Sequence, residues 1–192
     1  AKQAVKFIQT PASALGFTLA PTFSAEKASD TDSDPGRIYE RALTNVLLFY
    51  IPAAAGLMLV AEPVITIIFG TDYSGAVPVL QILSVYTVLM ASNYTAASAL
   101  DFLGRARERA IIKAITSILN FGLNLLMIPV YGVVGAAIAT IITYSLYAFT
   151  NLYIINLELD VSFKYIGLNM VKTFLIMSVM GLVVYLFLDY IT

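Results

Sequence analysis

Read for hydrophobic and polar positions, the chain is a series of long apolar runs separated by short polar clusters. Runs with few or no charges occupy 43–61, 78–100, 111–129, 133–156 and 166–188. A helix crosses a bilayer core with about 20 apolar residues, so each run is predicted to be a membrane span. A further span is predicted at 4–23, weakened by Lys6, Pro11 and Pro21. Its opening, AKQAVKFIQTPASALGF, reads like a helix entered partway, and a fragment of a longer protein or a processed N-terminus is expected. A soluble helical domain would have to hide all these runs at once. The expected fold class is an all-α polytopic membrane protein, a bundle of about six transmembrane helices.

Breaks inside the apolar pattern mark the turns. Pro52 falls in the middle of 43–61, where a kink is tolerated if neighbours satisfy the freed carbonyl. Glu62 and Pro63 interrupt the run, and VITIIFG follows as a short helix ending at Gly70. The stretch NFGLNLLMIPVYGVVGAAIAT at 120–140 holds no charge but two asparagines, a proline and three glycines. It reads as two helices joined by a tight turn built on Pro129 and Gly132, with Gly135 and Ala139 as a small-residue pair that lets helices approach closely.

Composition agrees: 59% of the 192 residues are hydrophobic and 12% charged, against about 25% charged in a soluble domain. The mean hydropathy is +0.85. A net charge of −1 gives no basic balance for nucleic acid. Without Cys or His, thiol chemistry and the commonest metal ligands are absent, and no cofactor is expected. The one long polar stretch, 24–41, reads as a solvated interhelical loop. Its Asp30, Asp32 and Asp34 have the spacing of a calcium loop, but Pro35 and Arg41 stand where such a loop needs Gly and Glu.

Charge sets an orientation. Loops 24–41 and 101–110 each hold three basic residues, loop 157–165 holds Lys164, and loops 70–77 and 129–132 hold none. Cytoplasmic loops are enriched in Lys and Arg. Segment 105–113 is therefore expected in the cytoplasm and segment 72–75 outside, with Thr192 emerging outside.

Three spans carry polar stripes. Arg109, Lys113, Thr116, Ser117, Asn120 and Asn124 share an arc of about 100° at helical spacing. Gln81, Ser84, Thr87, Ser92, Thr95 and Ser98 share about 140°, with Asn93 pointing elsewhere. Thr140, Thr143, Tyr144, Tyr147, Thr150 and Asn151 form the third stripe. Interhelical hydrogen bonding would account for any one hydroxyl; three aligned stripes suggest a water-accessible cavity. Arg105 and Arg107 read as topology anchors, and Lys172 as a side chain reaching for the interface. Arg109 and Lys113 continue a stripe and could hold a phosphate at the cytoplasmic mouth. Candidate substrate-binding residues are Arg109, Lys113, Asn120, Asn124, Thr140 and Tyr144; no catalytic or metal-binding residue is expected.

Two stretches resemble a known family. LFYIPAAAGLMLVAEPVITIIFG followed by TDYSGAVPVLQIL, and LGRARERAIIKAITSILNFGLNLLMIPVYGVVGAAIATIITY, are similar to the multidrug/oligosaccharidyl-lipid/polysaccharide exporter superfamily, most of all its polysaccharide flippase branch. The resemblance extends along nearly the whole chain and is weakest over 1–40. It implies a MATE-like fold of two helical lobes around a central cavity worked by alternating access. The whole chain, 1–192, would be one such lobe, the C-terminal one. It further implies a lipid-linked oligosaccharide as substrate, and membrane lipid and an N-terminal lobe as partners. Two alternatives stay open. A drug/cation antiporter would use a carboxylate deep in the membrane, yet Glu62, Asp101 and Asp189 lie near span ends. A membrane-embedded glycosyl- or phosphotransferase would need acidic metal ligands or a general base.

Overall fold

The computed structural model describes residues 34–159, 161, 162, 164–171, 173, 175 and 178. The predicted span at 4–23, Asp30, Asp32, Lys172 and the end of the chain lie outside the described residues. Within them the protein is helical and no strand occurs.

Helix α1 runs Pro35–Leu59. It starts well before the expected span at 43 because Asp34 and Pro35 are a helix start. The Asp34 carboxylate accepts the Gly36 N–H at 3.0 Å, and proline at the first position has no amide to leave unpaired. The expected loop 24–41 is therefore corrected over 35–41, which is the first two turns of α1. The polar residues there are helical. Glu40 among them is buried, and its carboxylate accepts the Ser162 N–H, tying α1 to the last helical stretch.

Helix α2, Ala61–Phe69, is short, and Gly70 ends it at φ 94°. A 3-10 turn over Thr71–Ala76 leads into α3, Val77–Phe102. At its far end the Arg105 N–H reaches the Leu100 carbonyl at 2.8 Å and the Gly104 N–H the Asp101 carbonyl at 3.2 Å. Gly104, at φ 73°, supplies the left-handed residue that this Schellman ending requires.

Helix α4, Ala106–Glu158, is interrupted at Gly132, whose φ of 58° and ψ of −139° are not helical. In a straight helix, residues 23 positions apart would lie about 35 Å apart. Instead the Asn120 amide donates to the Thr143 hydroxyl at 3.0 Å. The two arms, 106–131 and 133–158, thus run antiparallel as a hairpin. The turn is narrower than 129–132 suggested: Gly132 makes it, and Pro129 stays within the first arm. A Cβ at Gly135 would overlap the Met127 carbonyl and come 3.1 Å from the Tyr131 Cβ. The absent side chain is what lets the arms close next to the turn.

Helix α3 is central, packed against α1 on one side and α4 on the other. Tyr39, Leu43 and Leu47 of α1 meet Ala96, Ala99 and Leu100 of α3 and Ile155 of the second arm. Val46 and Tyr50 meet Met90 and Ala91 in a second cluster. Phe121, Leu125, Leu126, Val130, Phe149 and Tyr153 are exposed on the outside of the hairpin. Among the described residues, three helical segments are long and apolar enough to cross a membrane, the third being the 53-residue hairpin. Each arm of about 26 residues extends about 39 Å, enough for a hydrocarbon core of about 30 Å.

Candidate functional site

A two-part cleft lies where the hairpin meets α3. The larger compartment, about 230 Å³, has Tyr86, Met90, Asn93, Tyr94 and Ala97 of α3 as one wall. Arg109 and Lys113 of the first arm and Tyr144 and Tyr147 of the second complete it. The smaller compartment, about 130 Å³, lies between the arms, lined by Lys113, Thr116, Ser117, Asn120, Thr140, Thr143 and Tyr144. Lys113 and Tyr144 belong to both.

The two cations differ in what already holds them. Arg109 is engaged by Asp101: Nε donates to Oδ1 at 3.0 Å and Nη2 to Oδ2 at 3.1 Å. This is the fork geometry in which a guanidinium takes an acidic group. Lys113 stands over the Tyr144 and Tyr147 rings, 4.2 and 4.8 Å from their centroids. Among the described residues it has no carboxylate partner. Aromatic faces hold a cation in place without cancelling its charge. Nearer the helix ends, Arg105 bonds both Glu108 and Glu158, clasping the start of α4 to its end. The hydrogen bonds from Glu108 and Glu158 push the Arg105 guanidinium above its already high ordinary pKa.

The polar rungs between the arms form one chain of hydrogen bonds. The Asn124 amide donates to Asn120 Oδ1 at 2.9 Å, Asn120 donates to Thr143, and Thr143 donates to the Ala139 carbonyl at 2.9 Å. Among the candidates, Lys113, Asn120, Thr140 and Tyr144 line the smaller compartment, and Arg109 lines the larger. Asn124 lines neither; it supports Asn120, and its own Oδ1 is buried without a partner among the described residues.

The stripe on α3 does not face the cleft. Ser84, Thr87 and Thr95 are buried and donate to the carbonyls of Gln81, Ser84 and Ala91 in their own helix. Ser92 and Ser98, partly buried, also donate one turn back, to the carbonyls of Val88 and Tyr94. A hydroxyl satisfied one turn back needs no water, so this stripe packs like an apolar one. Sequence reasoning set Asn93 aside, yet it lines the larger compartment, and its Oδ1 accepts the amide of fully buried Asn151 at 3.0 Å. Tyr86 and Tyr94 were also missed. The usable signal was spacing: positions 86, 90, 93, 94 and 97 fall within about 100° of helix surface, opposite the hydroxyl stripe.

Fold and cleft together define a polytopic helical membrane protein with a polar, cationic cleft between its helices. The family model for the lipid II flippase MurJ matches residues 8–192, and the chain belongs to that family. Its sequence is also 24% identical over 152 residues to a probable low-salt glycan biosynthesis flippase, Agl15, of Haloferax volcanii, covering 79% of this chain and 32% of that protein. It is 30% identical over 145 residues to a probable flippase, AglR, of the same organism, covering 73% of this chain and 30% of the relative. An uncharacterized membrane protein of Methanocaldococcus jannaschii, MJ1068, is 28% identical over 144 residues, 73% of this chain and 28% of that protein. The chain thus spans about three-tenths of the length of these relatives. The resemblance to the exporter superfamily and its flippases is borne out.

Proposed function

We propose that this chain forms part of a flippase that carries lipid-linked oligosaccharide precursors across the cell membrane, and that the two-part cleft belongs to the headgroup path. The observation that carries the reading is Lys113. Its ammonium is held on two aromatic rings, lacks a carboxylate partner among the described residues, and stands where both compartments meet. A phosphate leaving water needs a compensating charge, and this one is available. Arg109 is the second cation, reached only in competition with Asp101. Beyond Lys113, Asn120, Thr140 and Tyr144 offer polar groups, and among the described residues the smaller compartment adds no second charge.

The complete site is formed with a second, N-terminal lobe, and alternating access moves the headgroup between the two sides. The protein is a transporter, not an enzyme. An antiporter for organic cations is disfavoured because, among the described residues, no carboxylate lines either compartment and two cations do. The test is a flipping assay with the intact protein in liposomes containing fluorescent lipid-linked oligosaccharides. Protein-dependent loss of headgroup from one leaflet is expected. Exchange of a cationic drug for protons, without lipid movement, would overturn the reading.

A further inference from the structure

Resting on the flippase reading, we propose that the larger compartment is a seat for a single sugar ring, the one joined to the phosphate that Lys113 receives. Four tyrosines, Tyr86, Tyr94, Tyr144 and Tyr147, line it together with Asn93. Tyr86 meets Tyr144 at a centroid distance of 4.6 Å and 78°, and Tyr144 meets Tyr147 at 6.3 Å and 80°. Such near-perpendicular rings form corners and do not cover one another face to face. A pyranose has an apolar C–H face and a rim of hydroxyls; tyrosine has an apolar ring and a polar tip, so the two match on both counts. Size limits the occupant to one ring, since about 230 Å³ is less than the roughly 300–1,000 Å³ of drug-sized pockets. Charge excludes the other ligand that aromatic walls suit, a quaternary ammonium, because Arg109 and Lys113 share the lining. An isoprenoid tail would bury the Lys113 ammonium, which has no carboxylate partner among the described residues, against hydrocarbon.

The smaller compartment, about 130 Å³ and reached across Lys113, is suited to the phosphate and not to a second ring. The sugar at the reducing end is therefore the part of the glycan that this chain reads, through Tyr94 above all. That ring is 42% exposed and belongs to neither core cluster, so it is free to receive a ligand.

The test uses the intact transporter in nanodiscs, with Tyr94→Leu and Tyr94→Phe. The probes are a polyprenyl phosphate and the same lipid carrying one glucose or one N-acetylglucosamine. The expected result is that wild type and Tyr94→Phe bind at least one glycosylated lipid more tightly than the bare one. Tyr94→Leu should lose about three- to tenfold of that preference. Equal losses for bare and glycosylated lipids, or no loss for either, would overturn the sugar seat. The flippase reading survives both outcomes if wild type binds and flips the lipids. Wild-type protein that binds none of the probes would overturn both.

Discussion

Neutralising Lys113 should separate the two cations of the cleft. In Lys113→Gln the headgroup loses a charge-assisted hydrogen bond, a contribution of about 1.5–3 kcal/mol. At 1.4 kcal/mol per factor of ten, that is about ten- to hundredfold in affinity. Folding should suffer less, because the ammonium over Tyr144 and Tyr147 contributes only about 0.5–2 kcal/mol as a cation–π contact. Arg109 needs a different design, since Arg109→Gln alone would leave the Asp101 carboxylate at the mouth, repelling the same anion. The pair Asp101→Asn with Arg109→Gln removes both charges of a half-exposed ion pair, with side chains 31% and 48% exposed. Such pairs contribute about 0.2–1 kcal/mol, so the double neutral variant should stay within about fivefold of wild type. The assay is equilibrium binding of a polyprenyl pyrophosphate to the reconstituted intact protein, with thermal unfolding as the control for folding. A Lys113→Gln variant within twofold of wild type, beside a double neutral variant that loses tenfold or more, would refute the assignment and make Arg109 the anion seat.

Three further outcomes are expected. Gly135→Ala places a methyl group against the Met127 carbonyl and should destabilise the hairpin by about 1–3 kcal/mol, read as a lowered unfolding temperature; unchanged stability would mean that the arms are not so close. Asn151→Leu strands Asn93 Oδ1 in the cleft wall and should cost about 1–3 kcal/mol, whereas Asn93→Leu with Asn151→Leu should recover part of it; equal losses would deny the pairing. Cysteines at Ser74 and Ala106, both exposed in this cysteine-free chain, should react with an impermeant thiol reagent from opposite sides of the membrane, and labelling from one side would reject the orientation drawn from the basic loops.

Length and apolarity of the runs made the helical, membrane-spanning character legible from sequence. Crossing a bilayer is set by consecutive residues, and nothing distant has to be known. The reversal near 132 was legible for the same reason, because a glycine there permits a backbone that other residues rarely adopt. Two local signals were misread. Asp34 and Pro35 look like loop residues until a helix follows them, and Pro129 looks like a breaker although the first arm contains it.

The cleft was legible only on the hairpin. There Lys113, Asn120 and Thr140 share faces fixed by helical spacing, and a turn of so few residues forces those faces together. On α3 the same reasoning chose the wrong side. A run of Ser and Thr looks polar in sequence, but each hydroxyl can bond a carbonyl one turn earlier and be buried dry. Which side of α3 meets the hairpin is decided by packing against α1, where Ala96, Ala99 and Leu100 close on Tyr39 and Leu43. Only the tertiary structure sets Asn93 against Asn151, 58 residues away, and places the fork of Arg109 around Asp101. Sequence determined that these helices enter a membrane, because hydrophobic length is a property of each segment alone. The folded chain decided which polar groups are spent on one another and which, like Lys113, are left facing the cleft, because hydrogen bonds and ion pairs depend on where distant segments meet.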